Sequence, residues 1–66
     1  MTTIHRSPFE DFTTSVDWLC ERYGCDRRLA TYLLWDVAFT VGTDRHYWID
    51  DCHARRFIDN NTPIAV

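Results

Sequence analysis

The stretch from residue 26 to residue 42 reads DRRLATYLLWDVAFTVG and has the spacing of a helix that is apolar on two opposite faces. One broad stripe is aliphatic and comprises Leu29, Ala30, Leu33, Leu34, Val37 and Val41. The other stripe is aromatic and comprises Tyr32, Trp35 and Phe39. A chain of 66 residues folds around one small core and can hardly cover both sides of one of its own helices. We therefore expect one stripe to contact a second copy of the chain or another protein.

Helix signals on the N-terminal side of this stretch favour a small all-α domain with three helices. Ser7, followed by a proline, is typical of a helix start and predicts a first helix over residues 8–23 that ends at Gly24. Asp26 is the expected cap of a second helix over residues 27–41. The short connection between them predicts a helix-turn-helix pair or an antiparallel helical hairpin.

The segment over residues 44–59 predicts either a third helix or a short hairpin. Asp51 and Arg55 have the i, i+4 spacing of a helical ion pair. The neighbouring cluster of aromatic and β-branched residues is also compatible with strands. We expect residues 1–6 and 61–66 to be loose tails of a single small domain that spans the whole chain.

The charge balance argues against a general affinity for nucleic acid. Ten acidic residues stand against seven basic ones, and the net charge is −3, whereas phosphate binding needs a clustered positive field. All seven basic residues are Arg, whose guanidinium pairs with carboxylates and stacks on aromatic rings at protein interfaces. The composition therefore favours a host or effector protein as partner and disfavours nucleic acid.

Several features of the sequence indicate the cellular compartment in which the protein acts. No apolar run approaches the roughly 18 residues of a membrane span, and the first residues show no apolar segment of a signal peptide. Cys20, Cys25 and Cys52 make an odd count, which favours free thiols in a reducing compartment. We therefore expect a cytoplasmic protein without a membrane partner, in the host cell cytoplasm if the chain is phage-encoded.

The aromatic residues are the best candidates for an intermolecular contact. Ten aromatics in 66 residues give more large apolar area than a monomer of this size usually buries, which favours a homodimer. The candidate partner-binding or dimer-interface residues are Arg28, Tyr32, Trp35, Asp36, Phe39 and Trp18. Two alternatives stay open. In one, the third segment and the N-terminal arm cover the aromatic stripe as part of the chain's own core. In the other, Trp18 is covered within the chain by Arg22, which stacks on its ring, or by the C-terminal tail.

The side chains that could bind a metal or act in catalysis form no recognised motif. We therefore expect no metal site, no cofactor and no enzymatic activity. His46, Asp50 and His53 would share a face of a third helix and reach one metal ion, but their spacing matches no recognised ligand motif. No nucleophile elbow, glycine-rich loop or paired-acid motif is present. The spread of carboxylates is compatible with imitation of nucleic-acid phosphates or with an ordinary solvated surface.

Two stretches carry a family resemblance. Residues 23–30, YGCDRRLA, followed after the second helix by residues 44–51, DRHYWIDD, resemble the pattern in some very small phage-encoded anti-CRISPR proteins of the type I class. The resemblance implies a single-domain inhibitor that binds a CRISPR effector protein and blocks its access to DNA. It assigns no functional residue.

Two functional hypotheses follow. The first is a small non-enzymatic inhibitor or regulator that acts by stoichiometric protein–protein binding. The second is a helix-turn-helix DNA-binding transcriptional regulator with the second helix as its recognition helix. The second hypothesis needs polar, base-reading residues along the exposed face of that helix, where the chain carries Tyr32, Trp35 and Asp36.

Overall fold

The computed structural model describes residues 3–62, which form three helices and a two-stranded antiparallel sheet. In chain order, the elements are β1 (Ile4–Arg6), α1 (Phe12–Tyr23), α2 (Arg27–Asp36), β2 (Trp48–Asp50) and α3 (Asp51–Asn61). The prediction of an all-α domain is therefore wrong. The fold mixes helices with a small sheet that joins the start of the described segment to the strand that precedes α3.

The sheet explains why the all-α prediction fails. His5 lies opposite Ile49 in the antiparallel register, and Ser7 donates its backbone N–H to the Tyr47 carbonyl at 2.7 Å. Each strand has only three residues, too few to show a clear alternation of apolar and polar positions. The strands also pair across more than 40 residues of sequence, a contact that local spacing does not reveal.

The predicted tails are partly structured. Residues 4–6 form β1, so the prediction of a loose tail over residues 1–6 is wrong for them. Residue 61 ends α3, so the prediction of a loose tail over 61–66 is wrong for residue 61. Residues 1–2 and 63–66 lie outside the described residues.

The first helix begins four residues later than predicted because Ser7 has another role. Its side chain is fully buried, donates to the Phe9 carbonyl at 2.8 Å and accepts the Tyr47 amide at 3.0 Å. Asp11 caps α1 instead, because its carboxylate accepts the Thr14 amide at 2.8 Å. The helix ends as predicted: Gly24 adopts a left-handed conformation with φ 64° and donates to the Cys20 carbonyl.

The second helix begins as predicted and ends five residues early. Asp26 caps it by accepting the Leu29 amide at 2.7 Å, which confirms the predicted start. The helix ends at Asp36, and Phe39 instead exchanges two backbone hydrogen bonds with Trp48, of 2.9 and 2.8 Å. Aromatic and β-branched residues follow Asp36, and such residues pack well on a strand surface.

The third segment contains a strand followed by a helix, and the hairpin alternative is wrong because β2 pairs with β1 instead of with a second strand inside the segment. Trp48–Asp50 is a strand, and the helix starts only at Asp51, with Asp50 as its cap. A helix over the whole of 44–59 is therefore wrong. The predicted ion pair is confirmed, since Arg55 Nε lies 3.1 Å from an Asp51 carboxylate oxygen.

The core confirms the aliphatic stripe of α2 as the inward face. α2 packs against both α1 and α3. The buried apolar side chains are Val16, Leu19, Ala30, Leu33, Leu34, Val37, Ile49 and Ala54. Val41 was placed on this stripe but is half exposed, because the helix has ended before it. The opposite face of α2 is thereby directed away from the core.

Candidate protein-contact site

The outward face of α2 carries four of the predicted contact residues. Arg28, Tyr32 and Asp36 follow each other at intervals of four residues, so they lie along one line of the helix. Tyr32 is 43% exposed and both charged side chains are exposed. Trp35 lies beside this line and is 65% exposed. We call Arg28, Tyr32, Trp35 and Asp36 the α2 face.

Trp35 is the centre of an aromatic cluster on this face. Its ring centroid lies 5.8 Å from that of Tyr32 and 5.8 Å from that of Phe12 in α1. Phe12 in turn meets Tyr47 edge-on at 6.1 Å. The packed rings hold one another in place while most of the Trp35 surface stays in water. A large, stiff and exposed side chain of this kind is typical of an interface anchor.

An open groove borders the α2 face. It occupies about 1010 Å³ between α2 and the C-terminal half of α3, where Leu29 and Tyr32 face Phe57 and Ile58. Arg28, Asp36 and Asp59 also line it. Apolar walls with charged groups beside them resemble the composition of protein interfaces more than that of an enclosed small-molecule pocket.

The other two predicted contact residues lie elsewhere. Phe39 is 41% exposed but belongs to the extended segment beside β2, so it does not continue the helical stripe. Trp18 is half-buried against the core, and the guanidinium carbon of Arg22 lies 5.8 Å from its ring centroid. The alternative that Arg22 stacks on Trp18 is thus confirmed.

The sheet side of the molecule holds a second set of Arg, Asp and Trp residues, and here their polar groups are paired. Asp44 accepts Arg6 Nε at 2.7 Å, the His46 amide at 2.9 Å and Trp48 Nε1 at 3.2 Å. Arg6 also lies over the Trp48 ring at 5.9 Å. The hydrogen bonds from Arg6 and from the His46 amide hold the pKa of Asp44 well below its usual range. We call Arg6, Asp44, His46 and Trp48 the Asp44 cluster.

A third polar group links α1 to α3. Tyr23 donates its hydroxyl to an Asp51 carboxylate oxygen at 2.9 Å, and Arg55 lies over the Tyr23 ring at 5.5 Å. Burial, with the nearby carboxylate, raises the pKa of Tyr23 to about 12. The pKa of Asp51 is lowered, chiefly by the Tyr23 hydrogen bond and then by that from Arg55. These contacts explain Tyr23 and Asp51 as structural residues.

The remaining candidates for chemistry do not come together. His46 precedes β2, Asp50 ends it and His53 lies in α3, so the shared helical face that the metal alternative required does not form. Among residues 3–62, no group of three ligand-type side chains is placed to hold a metal ion. Burial raises the pKa values of the Cys20 and Cys25 thiols, which disfavours the thiolate form that a nucleophile needs.

Many of the carboxylates have structural partners. Asp11, Asp26 and Asp50 cap the three helices, and Asp17 pairs with Arg27. Carboxylates held in caps and ion pairs are less free to imitate a phosphate track. Asp36, by contrast, takes part in no ion pair within the described range.

Comparisons with protein-family models, with curated proteins and with solved structures found no match for this chain. None of the helices in the part that the structure describes is long and apolar enough to cross a membrane.

Sequence reasoning missed two members of the aromatic cluster. Phe12 lies in the first helix and packs against the core, yet its ring also supports Trp35 at the surface. Tyr47 belongs to the ambiguous third segment, and its contact with Phe12 depends on the long-range pairing of Ser7 with Tyr47. No local signal in the sequence pointed to either contact.

Proposed function

We propose that the protein is a small, non-enzymatic binding module that acts by stoichiometric contact with another protein through the α2 face. The observation that carries this proposal is the exposure of Trp35, 65% in water although two neighbouring rings fix its position. Burying such a side chain in a partner gains about 1.5–3 kcal/mol, a large amount for one residue. The charges of Arg28 and Asp36 beside it, which form no ion pair within residues 3–62, supply orientation.

The resemblance to very small phage-encoded type I anti-CRISPR proteins gives a specific partner to test. On this proposal the chain acts in the host cytoplasm, where it binds a type I CRISPR effector protein and inhibits its access to DNA. A folded domain with an anchor of this kind is suited to such stoichiometric inhibition. The proposal requires no cofactor and no catalytic residue.

The alternative of a DNA-binding regulator is less well supported. α1 and α2 do follow each other through a tight turn at Gly24. The exposed residues that would enter a groove, however, include Asp36 and two large rings, and a carboxylate next to phosphates is repulsive.

The direct test is capture of partners from a host lysate, followed by intact-mass measurement of the bound species. The wild-type chain is compared with Trp35→Ala, for which we expect a loss of about 2 kcal/mol or more, roughly 30-fold in affinity. Ile4→Ala is the matched control, because Ile4 is an exposed apolar residue, 48% in water, that is not part of the α2 face. It lies on β1, and β2 separates it from Phe39. It should bind like the wild type.

A purified type I effector complex provides the more specific arm. The wild-type chain should bind it with a fixed stoichiometry and lower its affinity for target DNA, and Trp35→Ala should do neither. Equal capture by the wild type and Trp35→Ala would contradict the proposed surface. A shift of free DNA by the chain, with a steep salt dependence, would favour the regulator instead.

A further inference from the structure

The charges of α2 lie at the wrong ends of the helix for its own dipole. Arg28 is in the first turn, near the positive end, and Asp36 is the last residue, near the negative end. The first turn has no acidic residue and the last turn no basic one. Arg27 pairs with Asp17, but neither Arg28 nor Asp36 takes part in an ion pair within residues 3–62.

The two unpaired charges cannot satisfy each other within one chain. At 1.5 Å of rise per residue, Arg28 and Asp36 are separated by about 12 Å along the helix axis. Each lies about 6 Å from Tyr32, on opposite sides of it. The arrangement is therefore symmetric about Tyr32 in position and opposite in charge.

We infer that the α2 face binds a second copy of this chain, with the two α2 helices antiparallel about a two-fold axis at Tyr32. This inference rests on the proposed function: a second copy of the chain and a partner protein use the same surface and compete for it. The axis brings Arg28 opposite the partner's Asp36, and Asp36 opposite the partner's Arg28. A two-fold contact forms each pair twice, so the surface complements itself.

The same arrangement corrects the dipole mismatch. In an antiparallel pair, the Arg28 guanidinium lies beside the negative C-terminal end of the partner helix. The Asp36 carboxylate lies beside the positive N-terminal end. Each charge therefore gains an opposite charge and a favourable helix end in one contact, which a parallel arrangement would not supply.

The apolar groups follow the same symmetry. Trp35 lies three residues after Tyr32 and Leu29 lies three before it, so the two-fold brings Trp35 opposite the partner's Leu29. The two Tyr32 rings meet at the axis. Leu29 is half-buried and lines the groove, which leaves an apolar wall for the indole ring to pack against. The exposed aromatic anchor thus meets an aliphatic surface.

The length of the contact sets its strength. α2 has 10 residues and is about 15 Å long. An interface built along it, with Phe12 at its edge, falls in the size range of weak and reversible complexes. We expect a dimer with a dissociation constant of about 100 µM, so both monomer and dimer are measurable.

Charge reversal tests the arrangement. By sedimentation equilibrium at low salt, Arg28→Glu and Asp36→Arg should each weaken the homodimer about tenfold, because two attractive pairs become repulsive. An equal mixture of the two variants should recover the wild-type affinity within about threefold, because each contact in the mixed dimer again joins opposite charges. Native mass spectrometry identifies the mixed species by its mass.

The double variant R28E/D36R provides the folding control. It carries an acidic residue at the start of α2 and a basic one at its end, which suits the helix dipole, as each single variant does at one end. We therefore expect the single variants to stay folded, so that any loss of association comes from the changed charges. Circular dichroism of each protein checks that it is folded. The double variant should still dimerise, because each pair again joins opposite charges, but more weakly than the wild type, because each charge then lies beside the unfavourable end of the partner helix.

The inference fails if the wild type stays monomeric at millimolar concentration, if the single variants dimerise unchanged, or if the mixture forms no mixed dimer. Failure of the proposed function looks different, because Trp35→Ala would then capture the same proteins as the wild type. If the wild type is monomeric and Trp35→Ala fails to bind a host partner that the wild type binds, the inference of a second copy is wrong. The proposed protein-binding function would still be supported.

Discussion

Two sets of the same residue types lie on different sides of this molecule, and their environments differ. On the sheet side, the Asp44 cluster joins Arg6, Asp44 and Trp48 by hydrogen bonds and a cation–π contact. On the α2 face, Arg28, Asp36 and Trp35 carry the same chemistry without those pairings in the described residues. The first set holds the fold together. The charged and aromatic side chains of the second set are available to contact another molecule. The width of one helix separates them from the core.

The two faces of α2 provide the largest contrast in stability. Leu33 is fully buried in the core, whereas its neighbour Tyr32 is on the α2 face. Leu33→Ala should lower the free energy of unfolding by about 2–5 kcal/mol, through lost burial and the cavity that remains. Tyr32→Ala should lower it by about 1 kcal/mol, since it loses mainly the ring contact with Trp35. Urea denaturation of both variants measures the difference, and similar losses would contradict the assignment of inner and outer faces.

Ser7→Ala tests the junction of the sheet with α1. The substitution leaves the Tyr47 amide without its acceptor and the Phe9 carbonyl with one donor fewer, so we expect a loss of about 1–3 kcal/mol in the free energy of unfolding. Thr43→Ala, an exposed substitution in the turn after α2, is the matched control and should change stability by no more than about 0.5 kcal/mol. If Ser7→Ala matches this control, the hydroxyl has no structural role.

Asp44→Asn tests the charged part of the Asp44 cluster through pH. Arg6 and the His46 amide lower the pKa of Asp44, so its stabilisation is present above the usual carboxyl pKa and is lost as the pH falls through that lowered value. The wild type should therefore lose stability steadily below about pH 4, and Asp44→Asn should show a shallower loss. Thermal denaturation between pH 7 and pH 2 measures both profiles.

The α2 face supplies the control for this experiment. At pH 7, Asp36→Asn should leave the melting temperature unchanged or raise it slightly, because Asp36 has no ion pair in the described range and lies at the negative end of α2. Asp44→Asn should lower it at the same pH. Equal changes in melting temperature for the two substitutions would show that Asp44 and Asp36 do not differ in their contribution to stability.

Trp35 is expected to contribute little to the stability of the monomer. Trp35→Ala should cost about 1 kcal/mol or less in the free energy of unfolding at high dilution, because most of the ring is already in water. Trp48→Ala should cost more, since it removes the indole donor to Asp44 and the surface beneath Arg6. A large loss for Trp35→Ala would indicate a structural role and weaken its assignment as a contact residue.

The sequence was sufficient to predict the two helix boundaries that depend on local chemistry. Gly24 ends α1 because only a residue without a side chain adopts its left-handed conformation without strain, and Asp26 starts α2 with a local cap. The aliphatic stripe likewise predicted the buried face of α2. Each of these features depends on residues that are close to one another in the sequence.

The features that sequence reasoning missed depend on distant pairings. Ser7 has the sequence context of a helix cap, but it bonds to Tyr47 forty positions away. Phe39 has the spacing of the aromatic stripe, but it pairs with Trp48 and leaves the helix. Of the candidate site, Arg28, Tyr32, Trp35 and Asp36 lie together because their placement follows from helical spacing. Phe39 does not join them because tertiary pairing overrides that spacing.

The three tryptophans allow the most direct test of the open α2 face, because each indole N–H reports on one region. Trp35 lies on the α2 face, Trp48 in the Asp44 cluster, and Trp18 beneath Arg22. The measurement is the ¹H–¹⁵N spectrum of the three indole groups from about 1 mM down to about 10 µM protein, a range over which a dimer with a dissociation constant of about 100 µM changes from mostly dimer to mostly monomer. We predict that the Trp35 signal moves with concentration while the Trp48 and Trp18 signals stay fixed. A fixed Trp35 signal, or movement of Trp18 alone, would contradict the assignment of the α2 face as the surface that binds a second copy.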